Sequence, residues 1–475
     1  MAVDRLRAPR EFGDIALGGL AVGLALLVGV GIGNQDRGLL LILGALLGAS
    51  IVVVSCVRPQ FAFWVLIATT ITQPFIAVSE TRGMNPVDAL LFPTLVGAWI
   101  ARPRPAGFES LSGDVVRARR NLVNAVLAYL ALAVLSLVVL AGRGYPGYAG
   151  SSFLVLFRCV QGLLFFKLVE RMVRTREDLN HVRTAIVVGF VAAMVVNAIG
   201  LATLGVMRAG AAWNILVGDY FISGPNEAGF GVVFLWAIVL AFPFRRGPMV
   251  LLLLLSLVFL AATSSRSALL AWVTFVIVWG IRGRRGWMLL APLGLIALFP
   301  LLPEAWTGKI VKSLVMQRGS FESYSTLVRF YAWQTALNMF LHFPWLGVGY
   351  DSFRFFSREF NALTLNLGAA ENFVFETAAG LGIGGVAIVV WMARALRRLG
   401  KSVQGAMPEG TRAYALAKLS GPFLVAVAVA NMTGDNLIGM MGVAQLAVFS
   451  ALLVTAARIE TPPLAEPRTW MPATE

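Results

Sequence analysis

From residue 15 onward this sequence is a succession of apolar runs, most of them near the length a helix needs to cross the hydrocarbon core of a bilayer. Such runs leave a chain few choices. A backbone in lipid has to satisfy its own hydrogen bonds, so consecutive runs of this length become helices packed side by side. At about 20 residues per crossing, the runs read as helices near 15–33, 38–57, 60–78, 87–101, 121–141, 153–170, 182–206, 225–244, 249–264, 267–281, 287–302, 371–393, 413–431 and 437–457. The short pair within 249–281 and the run at 87–101 are the weakest of these. The expected fold is therefore all-α: a polytopic membrane protein with about 12–14 transmembrane helices and one helical cap outside the bilayer.

Composition excludes the alternatives. A chain that is 58% hydrophobic and 13% charged, with a mean hydropathy of +0.79, is too apolar for a soluble domain. Its net charge of +15 would fit nucleic acid only if the cations formed a stripe, and instead they fall in short segments between apolar runs. With the N-terminus in the cytoplasm, 27 of the 39 Lys and Arg lie on the cytoplasmic side and 12 outside, the bias that orients multi-spanning proteins. The expected location is the inner (cytoplasmic) membrane, multi-pass, with the large loop in the periplasm. Arg5, Arg7 and Arg10 precede an apolar run without an evident cleavage site, which reads as a first transmembrane helix. Cys56 and Cys159 lie in or beside apolar runs and read as small core residues, not as a disulfide.

One long stretch stands apart. Residues 303–370 hold Lys309, Lys312, Arg318 and Arg329, a helix-like run from Ser325 to His342, and the turn from Phe343 to Tyr350. The expected division is 1–302 transmembrane helices, 303–370 periplasmic cap, 371–458 C-terminal transmembrane helices and 459–475 a disordered cytoplasmic tail. No internal repeat stands out, which weighs against a transporter built from inverted halves. The stretch 102–120 reads as a surface connection.

Three arginines are candidates for anion binding. Arg266, between Ser265 and Ser267, sits in a turn too short to be a solvated loop, so its guanidinium falls at or just inside the outer membrane face. The bland alternative is snorkelling to lipid headgroups, with the serines merely capping a helix. Arg158 lies on the outer side of a span beginning near Ser152, and Arg329 lies on the helical run of the cap. Guanidinium groups stay charged and grip phosphate in bidentate fashion, so the three together suit a lipid-linked pyrophosphate. No Asp-x-Asp pair occurs, so the metal ligands of a nucleotide-sugar mechanism are missing and no metal or other cofactor is expected. Glu371, where the cap meets the next span, is either an acid favoured by the helix dipole or a general base. Asn372 follows it, and Glu376 lies deeper and needs a partner there. His342, before Phe343-Pro344, reads as a helix terminator. Ser223-Gly224-Pro225-Asn226-Glu227 opens another span from outside, and Asn431 and Asp435-Asn436 border the last outer turn.

The Ser-Arg-Ser turn at 265–267, Arg329 followed by Trp333 and Ala336-Leu337, His342-Phe343-Pro344-Trp345-Leu346-Gly347-Val348-Gly349 with Phe353, then Glu371-Asn372-Phe373 and the glycines from Gly380 to Gly385 together resemble the O-antigen ligase/polymerase superfamily. The resemblance covers roughly 260–390. It implies an integral membrane glycosyltransferase that takes a glycan from undecaprenyl pyrophosphate at the periplasmic face. It maps the pyrophosphate-binding arginines to Arg266, Arg158 and Arg329, and a base to the cap junction. Ligases of the family carry a histidine before the asparagine, where this chain has Glu371. The expected activity is therefore polymerisation of O-antigen or exopolysaccharide repeat units, metal-independent and inverting, with Glu371 as base and Ser265, Ser267, Asn372, Glu376, His342, Gly347 and Gly349 in support. Transfer to lipid A–core and a non-enzymatic glycan transporter or flippase are the alternatives. Expected partners are the lipid-linked donor, a saccharide acceptor, the bilayer and other polysaccharide assembly proteins, but no nucleic acid.

Overall fold

The computed structural model describes residue 50 and residues 52–72, 76–79, 82–84, 86–101, 111–203, 225–263, 265–283, 293–294, 321–362, 364–432 and 440–461. In chain order come α1 (Pro59–Thr72), β1 (Ile76–Ser79), β2 (Arg82–Met84), α2 (Pro86–Ala101), α3 (Gly113–Gly142), α4 (Pro146–Met172), α5 (Arg176–Thr203) and α6 (Pro225–Val239). They are followed by α7 (Arg246–Thr263), α8 (Arg266–Gly283), α9 (Phe321–His342), the one-turn α10 (Phe353–Phe356), α11 (Phe373–Ala406), α12 (Arg412–Met432) and α13 (Met440–Glu460). Among the described residues eight helices are long and apolar enough to cross a membrane, and Pro59–Ile71, Leu90–Ile100 and Gly229–Val239 are shorter apolar helices. The protein is an all-α polytopic membrane protein, with one small antiparallel hairpin that pairs Ile76 with Met84. Most of the expected runs at 15–33, 38–57 and 287–302 lies outside the described residues, as do Lys309, Lys312, Arg318, Asp435-Asn436 and most of the tail.

Element ends depart from the expectation where local chemistry extends or stops a helix. Ser112 caps α3, its Oγ accepting from the Val115 N–H at 3.4 Å, and Asp114 sits in the first turn. Arg117, Arg119 and Arg120, expected in a connection, are therefore helical. Tyr145-Pro146 starts α4 well before Ser152, with proline where its missing N–H costs nothing. That puts Arg158 about three turns inside the helix. α1 stops at Thr72, short of 78, and the hairpin takes up the remainder. α11 continues past 393 through a cationic stretch to Ala406, one residue short of Met407-Pro408.

Two apolar cores result. The larger is built from α1, α2, α5 to α8, α12 and α13 with the first turns of α3 and the last turns of α4 and α11. The smaller joins Tyr129, Leu137 and Leu140 of α3, Leu156 of α4, Ala332, Ala336 and Met339 of α9, Phe353 and Phe356 of α10, and Ala379 and Leu381 of α11. The cap is thus seated on α3, α4 and α11 by a core of its own.

Helix directions sort the polar residues into two ends. At one end Arg119 forms a bidentate pair with Glu170, at 2.5 and 2.7 Å. Arg171 donates to the carbonyls of Ala98 and Trp99, Arg183 to Pro243, Arg412 to Arg176 and Arg458 to Glu170 and Val173. These are carbonyls at or near helix ends, the groups that cations best satisfy. The other end carries the cap, the start of α4 and α11, and the end of α12.

Candidate functional site

The site begins with the register between α9 and α11. Arg329 on α9 donates from Nη2 to Glu371 Oε2 at 3.4 Å, and one turn further on each side the Trp333 ring stacks on Phe375 at 5.8 Å. The two helices therefore run in the same direction here, with the ion pair at the head of α11 and about two turns into α9. The pair stays reachable, with side chains 24% exposed at Arg329 and 41% at Glu371. Glu371 adopts a φ of +54°, a left-handed conformation that a non-glycine residue holds only when its surroundings impose it.

Asn372, not Glu371, caps α11. Its Oδ1 accepts from the N–H groups of Val374 and Phe375 at 2.9 and 3.2 Å, while its Nδ2 donates to the Met432 carbonyl at 2.8 Å. One side chain thus fixes the head of α11 against the end of α12. Glu376, 7% exposed, accepts the Ala370 N–H at 2.7 Å and so clamps the segment that presents Glu371. The dipole alone explains neither acid: Glu371 reaches out to a cation and Glu376 folds back on the loop.

About 14 Å along α11 the helix is broken at Gly382, which takes φ +64° and ψ −157°. Backbone groups released at such a break need new partners where water is scarce. The turn after α9 supplies them. Val348 N–H donates to the Ala379 carbonyl at 2.8 Å, Gly349 N–H to Gly380 at 3.0 Å, and Ile383 N–H to Pro344 at 2.8 Å. Gly347, at φ +66°, lies so close to Ala379 and Gly380 that a Cβ would collide with backbone, and at Gly382 a Cβ would sit 2.5 Å from the Pro344 oxygen. The Pro-Trp-Leu-Gly-Val-Gly sequence is a docking segment that heals the break in α11.

Buried polar groups on α3 and α4 complete the seat. Ser136 Oγ accepts the Tyr350 N–H at 3.1 Å, and Ser152 lies 3.3 Å from the Asp351 carbonyl. Burial pushes the Tyr350 phenol well above its ordinary value, so it remains a hydroxyl, 3.4 Å from Cys159 Sγ. Tyr148 stacks on Phe355 at 4.3 Å, and Arg143 lies 4.8 Å from the Phe343 ring centre. Ser136, Ser152 and Tyr350 are not legible as partners in the sequence. They stand some 200 positions from what they touch, and only the alternation of polar residues with the apolar stripe could have flagged them.

The other candidates are placed as follows. Arg266 opens α8, half-buried, while buried Ser265 accepts the Ala268 N–H on Oγ at 3.2 Å and thus caps the helix; Ser267 is buried beside it. At the other end of α8, Arg282 approaches Gly421 midway along α12, so Arg266 lies toward the end of the bundle that holds Met432 and Asn372. α6 starts at Pro225, and Gly229 abuts Ala268, so α6 and α8 begin side by side. Arg158 is half-buried, on the α4 face that one turn later, at Gly162, meets Val443 of α13. The structure joins Arg329 directly to Glu371. Asn431 donates to the Val427 carbonyl of its own helix, and His342 Nδ1 lies 2.8 Å from the Asn338 carbonyl, closing the end of α9.

A bundle of membrane-crossing helices, one of them broken and bonded to the segment after α9, with a partly exposed arginine–carboxylate pair where α9 meets the head of α11, defines a membrane protein with a polar site at one end. Residues 251–390 match the family model described as O-Antigen ligase, which supports a relation of this part of the chain to the O-antigen ligase superfamily. The match runs from α7 through the cap to the second half of α11, and includes Arg266, Arg329 and Glu371 but not Arg158. No curated protein sequence matches the chain. At the level of the family, the match supports glycosyl transfer of the ligase or polymerase type.

Proposed function

We propose that the protein extends a polysaccharide at the outer face of the inner membrane, transferring a glycan from a polyprenyl pyrophosphate carrier to the hydroxyl of a second repeat unit. The observation that carries this reading is the Arg329–Glu371 pair, exposed at the junction of cap and α11 and inside the family match. An ionised carboxylate beside a guanidinium accepts a proton from a sugar hydroxyl while the cation faces the developing negative charge. In the proposed step the acceptor hydroxyl loses its proton to Glu371, and its oxygen bonds to the anomeric carbon. The bond from that carbon to the pyrophosphate oxygen breaks, and its electron pair leaves with the carrier. Glu371 then returns the proton to water. Direct displacement inverts the anomeric centre. Arg266, at the same end of the bundle, and Arg158, on α4, are assigned to the pyrophosphate. The cation bias of the sequence supports a periplasmic cap.

The test uses purified protein and a lipid-linked repeat unit. Longer lipid-linked chains and free polyprenyl pyrophosphate are the expected products. Transfer only to lipid A–core would make it a ligase, and movement of intact donor across a bilayer without bond cleavage would make it a transporter.

A further inference from the structure

At the opposite end of the bundle a cleft of about 510 Å³ lies between α3 and α11, and Asp114, Arg117, Arg120, Asn121, Arg398 and Lys401 all line it. Four cations face one acid there. Asp114 is 3.9 Å from Arg117 with both side chains at least 80% exposed, a pairing that water weakens to little. Arg120, Arg398 and Lys401 have no acidic partner among the described residues. Arg119, Arg171, Arg183, Arg412 and Arg458 at the same end are all engaged with a carboxylate or with main-chain carbonyls. Arg120, Arg398 and Lys401 thus bring three unengaged positive charges together at one cleft.

The surroundings decide what kind of anion fits. Trp391 Nε1 donates to Asn121 Oδ1 at 3.0 Å, which leaves the Asn121 amide NH₂ as a donor beside the cations. Two turns along α3 from Arg120, on the same face, Leu127 is 46% exposed, and Trp391 itself is 36% exposed. Cations, a donor amide, an interfacial indole and then exposed apolar side chain follow one another along both helices. That sequence matches a phosphate headgroup with its acyl chains, and basic recesses between membrane helices are suited to anionic lipids. We propose that this cleft binds the headgroup of an anionic phospholipid in the leaflet on that side, independently of the glycosyl-transfer reading.

The experiment is native mass spectrometry of the full chain in detergent, titrated with phosphatidylglycerol or phosphatidylcholine. Wild-type protein should retain phosphatidylglycerol preferentially. The variant R120Q/R398Q should weaken that binding at least about tenfold. R246Q/R397Q removes the same charge from exposed arginines outside the cleft and should stay within about twofold of wild type. Equal retention of both lipids by wild type, an unchanged R120Q/R398Q variant, or equal losses in both variants would overturn the proposal. Displacement of the lipid by millimolar inorganic phosphate would assign the cleft to a soluble anion and would overturn it as well.

Discussion

Arg329 and Glu371 are 42 positions apart, yet the register of α9 on α11 makes them neighbours at 3.4 Å. Residue type alone pointed to each: a cation on the cap helix and an acid where the cap meets the next span. Their pairing was not legible, because it depends on how two helices align, and nothing local in either segment fixes that. For the same reason the sequence held open whether Glu371 was a helix-favoured acid. The geometry gives the capping role to Asn372 and the loop-clamping role to Glu376, and leaves Glu371 turned toward Arg329. Glu371→Gln, which keeps the shape and removes the base, should lower the rate of chain extension about 100-fold or more with unchanged protein yield. Initial rates with a lipid-linked repeat unit check this, and near-normal turnover would reduce Glu371 to a structural residue. Arg266→Ala should likewise abolish extension while the protein still reaches the membrane, read by product length alongside immunodetection of the membrane fraction.

At the scale of the element, hydrophobic runs located most spans, because a crossing has to be apolar over its whole length. What the runs could not give were the ends. Ser112 and Pro146 start α3 and α4 earlier than apolarity alone, and the cationic turns of α11 extend a helix that hydropathy would stop. The break at Gly382 was hidden too. Glycines from Gly380 to Gly385 were visible, but the strand-like bonding to residues 344–349 needed the partner segment. Gly382→Ala forces a Cβ into a backbone conformation essentially reserved for glycine, at about 1–3 kcal/mol, and against the Pro344 oxygen. Its thermal unfolding in detergent should shift down clearly more than that of Gly368→Ala, whose surroundings are open. Asn372→Ala should cost about 1 kcal/mol from the lost cap, and further stability from its broken bond to Met432. A thermal unfolding temperature equal to wild type would contradict the role given to this side chain.

Across the whole molecule the two ends differ in what their charged groups do. At one end Arg119, Arg171, Arg183, Arg412 and Arg458 bind Glu170 or main-chain carbonyls, which ties the bundle together, while Arg120, Arg398 and Lys401 gather at a cleft between α3 and α11. The other end holds the cap on its own apolar core and presents the ion pair within reach of solvent. The class of molecule was plain from the sequence, since so apolar a chain has one environment available to it. The chemistry rested on a resemblance over about a quarter to a third of the chain, which the family match at 251–390 now supports. The most direct measurement is chain extension by the purified protein given only a polyprenyl-pyrophosphate-linked repeat unit. Ladders of longer glycan with matching release of polyprenyl pyrophosphate, both lost in Glu371→Gln, are the predicted result. Intact donor after prolonged incubation with folded wild-type protein, with neither a longer glycan nor free carrier, would contradict it.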